Sequence, residues 1–393
     1  MSDATTRPTR SDTDGDTFLL EATSRRAAGD LASALEAYAA VEEKMSDRPA
    51  AAAKARLERA SCLYALSRLD EALSTYQSVE DIYPGERRAC ARARHQAGQI
   101  LRSMGRLQDA VDTFVALEQD FEDDATACAA ARNLRALTTR IAGDADAAML
   151  LHRSVEDEFP DVSTARAWSR VYQGGTARAV GDHDEAVRLL ASVEEDFAEE
   201  RPLCALARLV RGQTVRARGD SSDALAILDG VETGYRDVRD ACAWARHERS
   251  RTLRAEGADE NAQAVLIAAL TDYASERGRL ARMLTMVGHY ETDDERARRH
   301  LTSAVGHGDW MRWSVPARFL LGDIEEDALA AGLFDWHWRA DVEFWRGEVA
   351  LARGERDAAR SCFQRSRELN VPGYTWPQLE VDCRLRSLAI DGQ

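Results

Sequence analysis

The stretch AVGDHDEA, residues 179–186, ends one candidate helix and starts another. Its shape returns in MGRLQDA from position 104, AGDADAA from 142 and RGDSSDA from 218. Gly29, Ser67, Gly105, Gly143, Gly181, Gly219 and Gly257 follow one another at a step of 38 residues, and Ala34, Ala72, Ala110, Ala148, Ala186, Ala224 and Ala262 keep the same step. Seven copies in register define an internal repeat, which has to be settled before any other reading.

Within one copy, residues 89–124, apolar side chains recur at helical spacing on both sides of Gly105, giving helix, tight turn, helix. The glycine stands where a helix end takes a left-handed residue. Small residues seven positions earlier (Ala60, Gly98, Ala136, Gly174, Gly212, Ser250) let the two helices approach closely, so GGT at 174–176 reads as close packing within a helix. An aromatic ends each second helix, at Tyr83, Phe121, Phe159, Phe197, Tyr235 and Tyr273. Each unit has too small an apolar face to stand alone, and stacking on its neighbours buries it.

Small residue, glycine, alanine and then a bulky residue four positions on (Tyr38, Tyr76, Phe114, Leu190): this pattern resembles the tetratricopeptide repeat of bacterial or archaeal type and extends over about residues 17–390. The resemblance implies an all-α fold, an α-solenoid wound as a right-handed superhelix of helix-turn-helix repeats and closed by a C-terminal capping helix. The unit is longer than the family's usual length, and arginine replaces the usual first-helix tryptophan.

The expected organisation is a disordered leader (1–16), seven repeats (17–274), a shortened repeat (275–307), an insertion (308–335) with a helix from about Glu325, a final repeat (336–370), and a capping helix and tail (371–393). The tail resembles the terminal repeats of bacterial tetratricopeptide lipoproteins, without their lipobox. Six of the eight tryptophans (Trp310, Trp313, Trp336, Trp338, Trp345, Trp376) lie in this end. They read either as the seal of a solenoid or as an exposed patch that docks a second copy.

Two charge ladders share the register. Arg56, Arg94, Arg132, Arg170, Arg208 and Arg246 each follow a glutamate by 14 residues (Glu42, Glu80, Glu118, Glu156, Glu194, Glu232). Helix dipoles disfavour both placements, so ion pairs between neighbouring repeats are expected. A further ladder, Arg102, Arg140, Arg178, Arg216 and Arg254, with Arg26 in the first copy and Tyr64 interrupting, stands three residues before the glycine. By the family resemblance this position looks into the concave groove, where arginines would take an acidic peptide. The alternative is local, because the dipole favours cations in a last turn, and Asp144, Asp182 and Asp220 lie four residues after Arg140, Arg178 and Arg216. Trp168 and Trp244 share one column on the inferred groove side, as do His95 and His247. The family's lysine–asparagine carboxylate clamp is not reproduced in the columns that read His95, Asn133, His247 and Gln99, Gln213, Arg251.

The net charge of −16 disfavours nucleic acid and anionic membrane. Seven cysteines without CxxC spacing, four of them on the register (Cys90, Cys128, Cys204, Cys242), read as small buried residues in a reducing compartment. With no signal peptide and no long apolar run, the expected location is the cytoplasm. No phosphate loop, dinucleotide, zinc-protease or nucleophile-elbow motif occurs, and the histidines do not cluster, so no catalytic residue, metal or cofactor is expected. The expected function is a non-catalytic scaffold that binds a partner protein or extended peptide through Arg102, Arg140, Arg178, Arg216 and Arg254, with Trp168 and Trp244. Self-assembly through the aromatic end, as a homo-oligomer, and nucleotide or nucleic-acid binding in the same groove are the alternatives.

Overall fold

The computed structural model describes residues 10–291, 293–306, 314–333, 339–369 and 377–390, all other positions lying outside the described residues. Among the described residues there are helices and no strand. They divide into two compact units, one ending at Glu122 and one starting at Asp123.

The first unit holds α1 (Arg10–Ala27), α2 (Leu31–Lys44), α3 (Pro49–Ala65), α4 (Leu69–Ile82), α5 (Arg87–Ser103) and α6 (Leu107–Asp120). The second begins with α7 (Ala125–Ile141), α8 (Ala145–Glu158), α9 (Ser163–Ala179), α10 (His183–Asp196), α11 (Arg201–Arg218), α12 (Ser221–Gly234), α13 (Arg239–Ala255) and α14 (Asp259–Asp272). It continues through α15 (Arg277–Tyr290), α16 (Asp294–Gly306), α17 (Ser314–Leu321), α18 (Glu326–Gly332), α19 (Arg339–Ala352), α20 (Arg356–Glu368) and α21 (Gln378–Ile390). Helix α1 thus starts at Arg10, inside the stretch expected to be a leader, and positions 1–9 lie outside the described residues. The stretch expected as an insertion contains α17 and α18, joined through Gly322 at φ 77°.

In most of the pairs the turn is built on the register glycine. Gly181 has φ 86°, a left-handed conformation open to glycine at no steric cost, and its amide donates to the carbonyl of Arg178 at 3.1 Å while Asp182 donates to Ala177 at 2.9 Å. Ser67 holds the same left-handed place at φ 64°, the one non-glycine residue with positive φ among the described residues. The pair then closes around small residues. A Cβ on Gly98 would lie 2.5 Å from Phe114, and one on Gly212 would lie 2.8 Å from Leu228. The bulky residue of each second helix therefore sits on the bare backbone of the first, and the register alanines beside it, such as Ala110 and Ala186, are fully buried.

Neighbouring pairs are joined by the arginines that replace tryptophan. Arg56 pairs with Glu42 and Arg94 with Glu80 in the first unit. In the second unit Arg170 pairs with Glu156, Arg208 with Glu194 and Arg246 with Glu232. Each guanidinium does more than was expected of it. Arg170 donates from Nε to Glu156 at 2.9 Å, and from Nη1 to Ser192 and Asp196, each at 2.8 Å, so it spans α8, α9 and α10. It also lies 5.5 Å from the ring centroid of Phe197, as Arg246 lies 5.4 Å from Tyr273. Phe197 and Tyr273, which end their second helices, are thus platforms for a cation. The phenols complete the joint: Tyr235 donates to Glu194 at 2.6 Å.

Candidate functional site

The third ladder stands on the last turns of the first helices. In the first unit, Arg26 of α1 pairs with Glu58 of α3, which also accepts from Arg92 at 2.9 Å. Arg102 of α5 is half-buried near His95. Burial, with Arg102 and Arg92 adding positive charge, pushes that imidazole down to about 4.

In the second unit Arg140, Arg178, Arg216 and Arg254 stand on α7, α9, α11 and α13. Arg178 donates to Oε1 of Gln213 at 3.0 Å, and burial, reinforced by Arg140 and Arg216, lowers its guanidinium to about 10. Arg178 therefore lies within the field of both neighbouring ladder arginines. Arg216 is almost fully buried and donates from Nη1 to Glu248 Oε2 at 2.9 Å and to Thr252 at 3.1 Å. Burial alone would raise Glu248, but Arg251 and Arg216 hold its carboxyl well below the usual range. Arg254 donates to Asp259 at 3.1 Å and lies 3.5 Å from the ring centroid of Tyr290.

The local reading of this ladder therefore needs correction at Arg216. Asp220, four residues on, accepts from Arg218 at 2.7 Å, while Arg216 reaches a carboxylate 32 residues away. Asp144 and Asp182 cap α8 and α10, accepting from the amides of Ala147 and Glu185.

A glutamate 32 residues after the ladder arginine occurs in two copies, Glu58 after Arg26 and Glu248 after Arg216. After Arg140 and Arg178 the same column reads Tyr172 and Val210. Tyr172 is sandwiched between aromatics, stacked on Trp168 at 5.3 Å and on His152 at 5.4 Å. Trp168 and Trp244 are half-buried and pack on the apolar core between α9 and α13, and Trp244 Nε1 donates to Glu248 at 3.3 Å. His247 is buried beside Glu248 and lowered to about 3, chiefly by burial.

Beyond the ladder, sequence reading missed a buried charge cluster. Arg251 donates from Nη1 to Glu248 at 3.0 Å, and from Nε and Nη2 to the two oxygens of Glu380 at 2.7 and 2.9 Å. Glu348 accepts from Arg384 at 2.7 and 2.8 Å and lies 2.7 Å from His289 Nε2. A cleft of about 390 Å³ opens here, lined by Arg251, Arg254, Tyr290, Glu380, Cys383 and Arg384. The one sequence signal that leads here is the shared column of Glu58 and Glu248; Glu348, Glu380 and Arg384 stand outside the seven-copy register.

Trp310, Trp313, Trp336, Trp338 and Trp376 lie outside the described residues, as do His307 and His337. Trp345 is fully buried, edge-on to His289 and Phe344. Among the described residues no group of three His, Cys, Asp or Glu is placed to hold a metal, and no helix is long and apolar enough to cross a membrane.

A chain of stacked helix pairs, most of them turning on a left-handed glycine, is a helical-repeat protein. A tetratricopeptide-repeat family model matches residues 19–87 and 165–237, and the chain carries tetratricopeptide repeats. None of the curated proteins matches this sequence. Among solved structures, the chain is similar to yeast Tom70, with 10% identity, 96% of this chain and 89% of that chain covered, and a TM-score of 0.46. It is similar to a tetratricopeptide repeat protein from Parabacteroides merdae, with 12% identity, coverage of 86% and 98%, and a TM-score of 0.39. It is also similar to a Rap protein complexed with Competence and Sporulation Factor, with 12% identity, coverage of 95% and 99%, and a TM-score of 0.47.

Proposed function

We propose that this protein is a non-catalytic scaffold whose first helices bind an acidic segment of a partner protein, through Arg140, Arg178, Arg216 and Arg254 in the second unit, with Trp168 and Trp244 as adjoining apolar surface. The observation that carries this reading is the run Arg140, Arg178, Arg216. Arg140 and Arg216 both act on Arg178, where they add to burial in lowering its guanidinium to about 10. A ligand carboxylate relieves that repulsion and gains charge-assisted hydrogen bonds from planar guanidinium groups. Phosphate esters satisfy the same chemistry less selectively, and the net charge of −16 opposes a polyanion such as nucleic acid.

The test is titration of a fluorescein-labelled glutamate-rich peptide into the full chain, against a variant carrying Arg140→Glu and Arg178→Glu with unchanged helicity. Loss of one charge-assisted contact costs roughly tenfold in affinity, so the double variant should bind at least tenfold more weakly and with a shallower salt dependence. Equal affinity and equal salt slope would remove these arginines from the binding surface.

A further inference from the structure

We infer that α21 is a reversible, internally supplied occupant of the inner face over α13, and that it gates that face by carrying the carboxylate an external ligand would bring. The inference deepens the acidic-ligand reading and rests on it for the identity of the competitor.

A helix that only sealed the end of the array would need contact with α20 alone. Instead α21 packs on α20 and also returns to α13, placing Glu380 on Arg251, 129 residues away in the chain. Both partners are nearly inaccessible, at 3% and 6% side-chain exposure. One turn later on the same face of α21, Arg384 takes both oxygens of Glu348 on α19. The carboxylate of α21 thus sits on an arginine one turn before Arg254, the ladder residue to which the functional reading gives ligand.

The anchors are polar. Among the described side chains of α21, Val381 and Leu388 are its fully buried apolar residues, whereas α11 buries Leu203, Cys204, Ala205, Ala207, Leu209 and Val215. A buried ion pair roughly breaks even against solvation and fixes geometry more than it adds stability. A helix held by two such pairs and two buried apolar side chains is well specified and replaceable. The cleft beside it gives a competing chain an approach along Arg254 and Tyr290.

Cys383 of α21 supplies the reporter, because the other six cysteines are buried. The experiment is the rate of reaction of the full chain with DTNB, wild type against Arg384→Gln, with Arg353→Gln at an exposed turn as control. Removing a cation near Cys383 disfavours the thiolate and by itself slows the reaction. Acceleration of roughly fivefold or more therefore reads undocking of α21, and a rate equal to or below wild type overturns the inference.

A second measurement uses a fluorescein-labelled peptide of residues 377–390 carrying Cys383→Ser. It should bind the Arg384→Gln chain about tenfold tighter than wild type, because the peptide brings back the arginine that Glu348 has lost. Equal affinity for the two chains also overturns the inference. If this peptide discriminates while the glutamate-rich peptide binds neither chain, the acidic-partner reading fails alone and the gating helix stands.

Discussion

Gly174 lies against Leu190 so closely that a Cβ would fall 2.6 Å from the leucine Cγ, while a Cβ on the adjacent Gly175 would meet nothing within 4 Å. Two neighbouring glycines of one helix thus have opposite reasons to be there. Gly174→Ala must displace Leu190, and overpacking of this kind costs about 1–3 kcal/mol against a helix-propensity gain of about 1 kcal/mol. Gly175→Ala receives the gain alone. Thermal unfolding of the two variants should move in opposite directions, and a common direction would refute the packing argument.

Ser67 holds the turn that glycine holds elsewhere, at φ 64°. An L side chain in that region costs about 1 kcal/mol. Ser67→Gly should therefore raise the unfolding midpoint, offset by the greater freedom of glycine in the unfolded chain. Hydrogen exchange at Arg68, whose amide donates to Leu63, is the local readout, with slower exchange expected.

Arg170 illustrates a charge that is structural. Its side chain is 17% exposed, and it joins Glu156, Ser192, Asp196 and Phe197. Arg170→Leu leaves Glu156 without that donor and should cost about 2 kcal/mol. Arg188, paired with Glu185 on the open surface of α10, is the comparison, and Arg188→Ala should leave unfolding unchanged. Equal shifts would deny the staple its role.

Acid should weaken the second unit in two stages. Asn133 Nδ2 donates to the carbonyl of Ala165, which leaves its Oδ1 to accept from His152 Nδ1 at 3.1 Å. His152 is fully buried and its Nε2 has no hydrogen-bond partner, so burial lowers the imidazole from 6.5 to about 3. The unfolded chain then binds the proton first, and stability falls as pH drops below 6.5. Burial raises Glu348, but His289 and Arg384 outweigh it and set the carboxyl at about 2, so its contribution is lost between 4.5 and 2. Denaturant unfolding at a series of pH values should show both losses, together a few kcal/mol in order of magnitude. His247, lowered to about 3 chiefly by burial, adds to the upper loss, so His152→Gln should reduce that loss without abolishing it, and an unchanged slope there would place the titration elsewhere.

The periodic part of this architecture was legible because its causes are local and copied. A left-handed turn needs Gly181, a close crossing needs Gly98 under Phe114, and each leaves a residue type at a fixed interval. The Glu156–Arg170 pair was legible for the same reason. Arg216 was misread because nearness in sequence suggested Asp220, whereas helix packing brings Glu248 from the next first helix. Arg251 and Glu380 left no trace at all, since a contact made once, across 129 residues, has no interval to repeat. The aromatic end stayed illegible in a further sense: bulk alone cannot say whether a ring such as Trp345 seals or docks, and burial decides it.

The staple has one more consequence, in the history the chain can have had. Excision of residues 165–202 would leave Glu156 before Arg208 with the spacing that Glu156 and Arg170 have now, and Gly212 would inherit the role of Gly174. Every junction would be remade from residues already suited to it. Unequal crossing-over can therefore lengthen or shorten this molecule in whole repeats without inventing a contact, and which copies survive determines where along the array a glutamate answers an arginine.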